Sequence, residues 1–260
     1  MTRLPLSVCM IAGAEAERIG RALASVADWT AEIIVVLNED VSDGTEEIAR
    51  RFGAQVFREP WKGYVAQKNS AAQKAAQPWI LGLDADEAVS PPLREEIARA
   101  LTAPNLSTDL AAFSFPRCTQ FCGRWIRHGD WYPDRTVRLW RNGRARWTGQ
   151  EPHARLEVDG REGRLRHDLL HFTAVDLAHQ AAKSLTYADY FVRDQLAAGA
   201  TAGLLDLWLR PGWRFVRGYF LRLGFLDGWQ GLAVARLAAF QTFLRHARLR
   251  EARERSCPAP

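Results

Sequence analysis

The stretch EIIVVLNEDVSDGTEEIARRFGAQVF, residues 32–57, decides the fold. Ile33–Leu37 is an unbroken apolar, β-branched run, the pattern of a strand covered on both faces. Asp43-Gly44-Thr45 supplies a turn and a helix cap. Glu46 and Glu47 follow in the first turn, where carboxylates meet the positive end of the helix dipole. Thr45–Phe52 reads as a helix and Ala54–Phe57 as the next strand. Upstream lie a strand, Leu6–Ile11, and a helix, Glu17–Val26, with Ile19, Ala22, Leu23 and Val26 on one face. Downstream lie a helix over roughly Tyr64–Ala76 and a strand, Trp79–Leu83. Apolar strands separated by helices predict an α/β fold, a mostly parallel sheet with helices on both faces. In such sheets ligands bind beyond the carboxyl ends of the strands. The loops after Ile11, Leu37 and Leu83 are therefore the ones to inspect.

Beyond Pro91 the pattern changes. Leu93–Leu101 reads as a helix and Ala111–Pro116 as a strand. Residues 121–147 are an aromatic, Arg-rich stretch of strand and loop, and residues 152–171 hold short strands. From Ala174 the chain is mainly helical, and a boundary is expected near Gly199–Gly203.

The 260 residues are 47% hydrophobic and 25% charged, the balance of a folded protein. Cys9, Cys118, Cys122 and Cys257 include no CxxC spacing, so reduced thiols are expected rather than a zinc site. No signal peptide is readable and no apolar run approaches the ~18–20 residues that span a bilayer, so a cytoplasmic protein is expected. Of the net charge of +5, residues 201–260 contribute ten Arg against four acidic residues, and the rest of the chain is near neutral. A basic surplus confined to one aromatic segment argues against a nucleic-acid partner. No GxGxxG follows the first strand, which disfavours a dinucleotide oxidoreductase.

The sharpest local motif is WILGLDADEAVSP, residues 79–91. Strand alternation would point Asp84 and Asp86 the same way at the carboxyl edge. Two carboxylates converging there repel unless a cation lies between them. Mg2+ or Mn2+ bridging them to a diphosphate is the economical answer, and an acidic turn at a strand end is the plain alternative.

The order LSVCMI, residues 32–57, GYVAQKNSAAQKA and WILGLDADE resembles the family 2 inverting glycosyltransferases of GT-A fold. HGDWYPDRTVRLWRNG, HARLEVDG and LLHF are similar to bacterial lipopolysaccharide core β-glucosyltransferases that modify inner-core heptose. The resemblance covers roughly residues 4–195. It implies a GT-A catalytic domain over residues 1–200, with a nucleotide-sugar-binding half (1–100) and an acceptor-binding half (101–200). It further implies a nucleotide-diphosphate sugar donor, UDP-glucose or another UDP-sugar, a divalent metal, and a glycolipid or lipopolysaccharide core acceptor. Carried over by motif, Asp86 ligates the metal, Asp84 contacts ribose or metal, and Lys68 and Asn69 match the family's basic-Asn pair at the donor, with Lys68 on the diphosphate. His171 is a second candidate metal ligand, and His128, Trp131, Tyr132 and Asp134 shape the acceptor pocket.

Three positions depart from the family pattern. The first loop keeps only Glu15 of the usual Asn-Glu. Asn38 stands where an Asp usually meets the nucleobase, and His153-Ala154 replaces His-Glu. Inversion needs a carboxylate to deprotonate the acceptor hydroxyl. Glu151 is the first candidate and Asp130 the second. A capsule or lipid-carrier acceptor, or a degenerate sugar-nucleotide binder, are the alternatives. Residues 201–260 interleave aromatic residues with Arg, as at the surface of an anionic bilayer. That predicts a helical extension lying peripherally on the inner face of the cytoplasmic membrane, or packed on the core instead.

Overall fold

Alternation along the first strands sorts side chains to two faces of one sheet. We analysed a computed structural model that describes residues 3–149, 154–174 and 176–256. Contacts divide the chain into two compact units, Met1–Arg117 with Arg135–His171, and Cys118–Asp134 with Phe172–Pro260.

The first unit runs β1 (Leu4–Ala12), α1 (Ile19–Ala24), β2 (Thr30–Asn38), α2 (Thr45–Arg51), β3 (Gln55–Glu59), α3 (Tyr64–Gln73), β4 (Trp79–Gly82), β5 (Glu87–Val89) and α4 (Pro91–Thr102). It continues through most of β6 (Leu110–Phe121); β7 (Arg124–Trp125) belongs to the other unit. Then come β8 (Asp134–Arg141), β9 (Ala145–Thr148), β10 (Arg155–Val158), β11 (Arg161–Arg164) and the start of β12 (Leu169–Ala174). Among the described residues the sheet order is β3-β2-β1-β4-β8-β6-β12-β5, with β11 beside β6. The first four strands are parallel, Val8 facing Ile33 on one side and Leu81 on the other. Leu81 then pairs antiparallel with Leu139 of β8.

Val8, Met10, Val35, Leu37 and Leu81 pack on one face with Ile19, Leu23, Leu93 and Ile97 of α1 and α4. Cys9, Ile34, Val36 and Ile80 pack on the other with Ala71 of α3, Trp140 and Trp147. Each such buried aliphatic side chain contributes about 1.5–3 kcal/mol, which is why both faces must be covered. Ser90 caps α4, accepting from the Leu93 amide at 3.3 Å while its hydroxyl donates to the Asp168 carbonyl at 2.6 Å.

The second unit holds α5 (Leu177–Ala197), α6 (Leu204–Val216), a π-helical turn over Arg217–Leu221 and α7 (Gly228–Ser256). Its core gathers Phe121, Ile126 and Val234. A Cβ on Gly231 would lie 1.9 Å from the Gly224 carbonyl oxygen, so only glycine lets α7 start there. Division by contacts differs from the boundary expected at 199–203. The cause is α5, which packs on α7 through the Arg248–Asp189 ion pair (2.5 Å) and the Phe191–His246 ring contact (5.5 Å).

Candidate active site

Strand β4 ends at Gly82, so the acidic motif sits on a turn and strand alternation does not orient it. The Glu87 amide donates to the Asp84 carbonyl (3.0 Å), and the Asp84 amide donates back to Glu87 Oε2 (3.0 Å). Glu87, its side chain fully buried, also takes ion pairs from Arg117 (3.3 Å) and Arg138 (3.2 Å). It is the pin of the turn.

Asp84 is clamped between Lys68 Nζ at 2.8 Å and Arg138 Nη2 at 2.7 Å. Burial pushes its carboxyl pKa up, but the two cations outweigh burial and hold it well below the ordinary carboxylate range. The expected repulsion between Asp84 and Asp86 is therefore met at Asp84 by the protein's own cations. Asp86 Oδ2 lies 3.5 Å from His171 Nε2. Pairing of β12 with β5 sets His171 opposite Glu87 and so delivers the ring to the turn. Glu15, on the loop after β1, is paired with Arg18 at 2.7 Å. Burial raises its pKa, Arg18 opposes the rise, and the charge of Asp86 adds to it.

Arg138 is the residue that sequence reading missed. It stands in β8 between Val137 and Leu139 and is 6% exposed. Burial lowers its pKa, and the carboxylates of Asp84 and Glu87 more than restore it. Both Arg138 (5.5 Å) and Lys68 (4.7 Å) lie over the Trp147 ring. An open cleft is lined by Lys68, Gly82, Asp84, Arg138, Trp140 and Trp147, among others. A Cβ on Gly82 would come within 3.1 Å of Trp140 and 3.3 Å of Trp147, so glycine is needed beneath the two rings. Among the described residues, two buried donors on residues of this lining, Arg138 Nε and Trp140 Nε1, have no hydrogen-bond partner. Unsatisfied buried donors are costly, and anionic ligand oxygens would satisfy them. The available signal was an arginine set directly between the apolar Val137 and Leu139 of a strand, a placement that requires a partner once it is buried.

Asn38 ends β2, and among the described residues its buried Oδ1 has no hydrogen-bond partner. A Cβ on Gly13 would meet the Asn38 amide at 3.8 Å, so the first loop and the end of β2 adjoin. Asn69 departs from its expected role. Its amide donates to the Trp147 carbonyl and accepts from the Trp147 amide, both at 2.9 Å, which fastens α3 to β9 and turns both ends away from a bound donor.

The expected acceptor residues belong to the second unit. Asp130 is ringed by Arg214 (2.9 Å), Arg217 (2.7 Å) and Arg222 (3.3 Å), with a side chain only 2% exposed. A carboxylate so enclosed is a structural node, with no open side for an acceptor hydroxyl, which corrects its candidacy as the base. His128 Nδ1 lies 3.1 Å from Asp227 Oδ1, and Asp227 also accepts the Arg127 and His128 amides. Trp131 packs edge-on against Phe121 at 5.5 Å, while Tyr132 and Asp134 are half-buried. Glu151 and His153 lie outside the described residues.

Among the described residues, no three His, Cys, Asp or Glu side chains form a metal cage. Asp86 and His171 nevertheless present a carboxylate oxygen and an imidazole nitrogen 3.5 Å apart, the two protein groups that would hold a divalent cation here.

The sequence model of glycosyl transferase family 2 matches residues 7–156. The chain belongs to glycosyl transferase family 2. It is a glycosyltransferase, and the matched span holds Lys68, Asp84, Asp86 and Arg138. An uncharacterized glycosyltransferase of Rickettsia prowazekii is 30% identical over 95% of this chain and 87% of its own length. The lipopolysaccharide core biosynthesis glycosyltransferase LpsC of Rhizobium meliloti is 28% identical over 94% of each chain. In fold, the glycosyltransferase is similar to S. aureus TarS solved with UDP-GlcNAc, with a TM-score of 0.51 at 12% identity over 98% of this chain and 92% of that one. This agrees with the GT-A-like α/β architecture expected from the sequence.

Proposed function

We propose that this glycosyltransferase moves a hexose, glucose from UDP-glucose, onto a lipopolysaccharide core or related cell-envelope glycan with inversion at the anomeric carbon. The observation that carries the reading is the Asp84–Glu87 turn, with Asp86 Oδ2 3.5 Å from His171 Nε2 and two unpartnered donors, on Arg138 and Trp140, beside it. The lipopolysaccharide core biosynthesis role carried in the name of the relative LpsC supports the acceptor class. Asn38 Oδ1 offers an acceptor to the N–H of a uracil edge.

Asp86 and His171 hold the divalent cation, Mg2+ or Mn2+. When bound, the cation offsets charge on a departing diphosphate. Arg138 donates through Nε to a diphosphate oxygen and, with Lys68, keeps Asp84 ionised and immobile, so that the turn needs no reorganisation during transfer. Glu151 takes the proton of the acceptor hydroxyl, whose oxygen attacks the anomeric carbon from the face opposite the leaving UDP. The anomeric C–O bond to the diphosphate breaks as the new glycosidic bond forms. The protein works peripherally at the inner face of the cytoplasmic membrane, where lipid-linked acceptors lie.

The test is UDP release from UDP-glucose with a core-oligosaccharide acceptor, with Mn2+ or with EDTA, in wild type and Asp86→Ala. EDTA and the substitution should each abolish turnover while the melting temperature holds. Wild-type turnover in either arm removes the metal role.

A further inference from the structure

Helix α6 is built inside out. Helical spacing gathers Leu204, Leu205, Trp208, Leu209, Trp213 and Val216 on one face, and that face is outward, its side chains 40–80% exposed with Trp208 the highest. The polar residues turn elsewhere. Arg214 reaches the buried Asp130, and Asp206 accepts the Gly203 amide at 2.9 Å and pairs with Arg210. A surface helix in water shows the opposite polarity. Single exposed apolar side chains need no explanation, but a whole face does. Apolar exposure continues past the helix at Phe220 (53%) and Leu221 (62%).

We infer that this face of α6 is a membrane-docking surface whose partner is an anionic lipid bilayer. The segment that carries this face has the charge such a surface attracts: residues 201–260 hold ten Arg against four acidic residues. The side chains of Arg210 and Arg222, though paired with Asp206 and Asp130, are still 62% and 49% exposed. A second copy of this chain would set the same positive surplus against itself, whereas anionic headgroups supply the opposite charge. Trp rings favour the headgroup zone, where their apolar bodies are dry and their N–H groups stay wet. No helix among the described residues is long and apolar enough to cross a membrane. At 13 residues α6 is about 20 Å long, so it lies in the plane of the interface with its apolar face sunk into it. The inference rests on the reading above only for its purpose, to meet a lipid-linked acceptor. The surface itself rests on exposure and charge.

The experiment is flotation of the full chain with phosphatidylcholine vesicles, with and without phosphatidylglycerol, at physiological salt. Wild type should float with the anionic vesicles only. Trp208→Ser/Trp213→Ser should lose at least about tenfold in partitioning, with an unchanged melting temperature because both rings already face water. UDP release with a water-soluble, deacylated core acceptor should be the same in both proteins. Failure of wild type to float, or equal flotation of the variant, overturns the inference. A dimer that the double substitution dissociates, with vesicles unbound, overturns it in favour of a second copy. If wild type floats but no core acceptor, lipid-linked or deacylated, receives glucose, the acceptor reading falls and the docking surface stands.

Discussion

Replacing Arg138 by Met removes one charge from the centre of the turn network and leaves two carboxylates short of a partner. Asp84 keeps Lys68 alone, and the fully buried Glu87 keeps Arg117 and the Asp84 amide. Breaking a buried ion pair from one side costs about 3–5 kcal/mol, because the remaining charge stays buried and uncompensated. For a chain of this size each kcal/mol lowers the melting temperature by about 2–3 °C, so a drop of about 6–15 °C is expected. Typical stabilities of about 5–15 kcal/mol leave most of the variant folded at low temperature. Adding Glu87→Gln to Arg138→Met should recover part of the loss, since it removes the carboxylate that lost its partner, and the double-mutant cycle should show coupling. Arg138→Lys keeps a charge but not the guanidinium fork. It should retain most of the stability and still weaken UDP-glucose binding about 10–100-fold, the worth of one hydrogen bond to a charged group. Circular dichroism melts and isothermal titration with Mn2+ read the two quantities separately. An Arg138→Met protein that melts with wild type would refute the electrostatic account of the turn. Undiminished donor affinity in Arg138→Lys would refute a diphosphate contact at Nε.

Asp130→Asn leaves three guanidinium groups around a neutral amide, so the helical unit should lose about 3–5 kcal/mol in a melt followed at 222 nm. Normal melting with turnover lost would instead restore Asp130 as the base. Glu59 is a pH test away from the candidate site. Burial pushes its carboxyl up, but hydrogen bonds from Lys62, Lys74 and Ser70 prevail and hold it down to about 2. A folded-state value below the unfolded one of about 4.3 stabilises above that pH and fades as pH falls toward 2. Glu59→Gln should therefore cost at most about 3 kcal/mol at neutral pH, with the gap in urea midpoint closing as the solution is acidified below about pH 4. A gap independent of pH would refute this.

Much of the first unit was legible in the chain because the signals are local. An apolar run buried on both faces, a Gly-bearing turn and an acidic first helical turn lie within a few residues of one another, so Ile33–Leu37, Thr45–Phe52 and Trp79–Leu83 name their own structures. The acidic motif was visible for the same reason, and its place at the carboxyl edge followed from the order of strands and helices. What tertiary structure alone decided was pairing across long separations. Arg138 meets Asp84 from 54 residues away, and Asn69 is consumed by Trp147 from 78 residues away. In sequence Arg138 is an ordinary strand arginine, and nothing beside Asn69 names Trp147 as its partner. Asp130 looked like a base because its three arginines arrive from another part of the chain. Interleaved aromatic residues and Arg marked residues 201–260 but did not say which side chains would face out. Which side of a helix meets solvent is set by what packs against the other side, and here the buried Asp130 draws the arginines inward and leaves the tryptophans in the open.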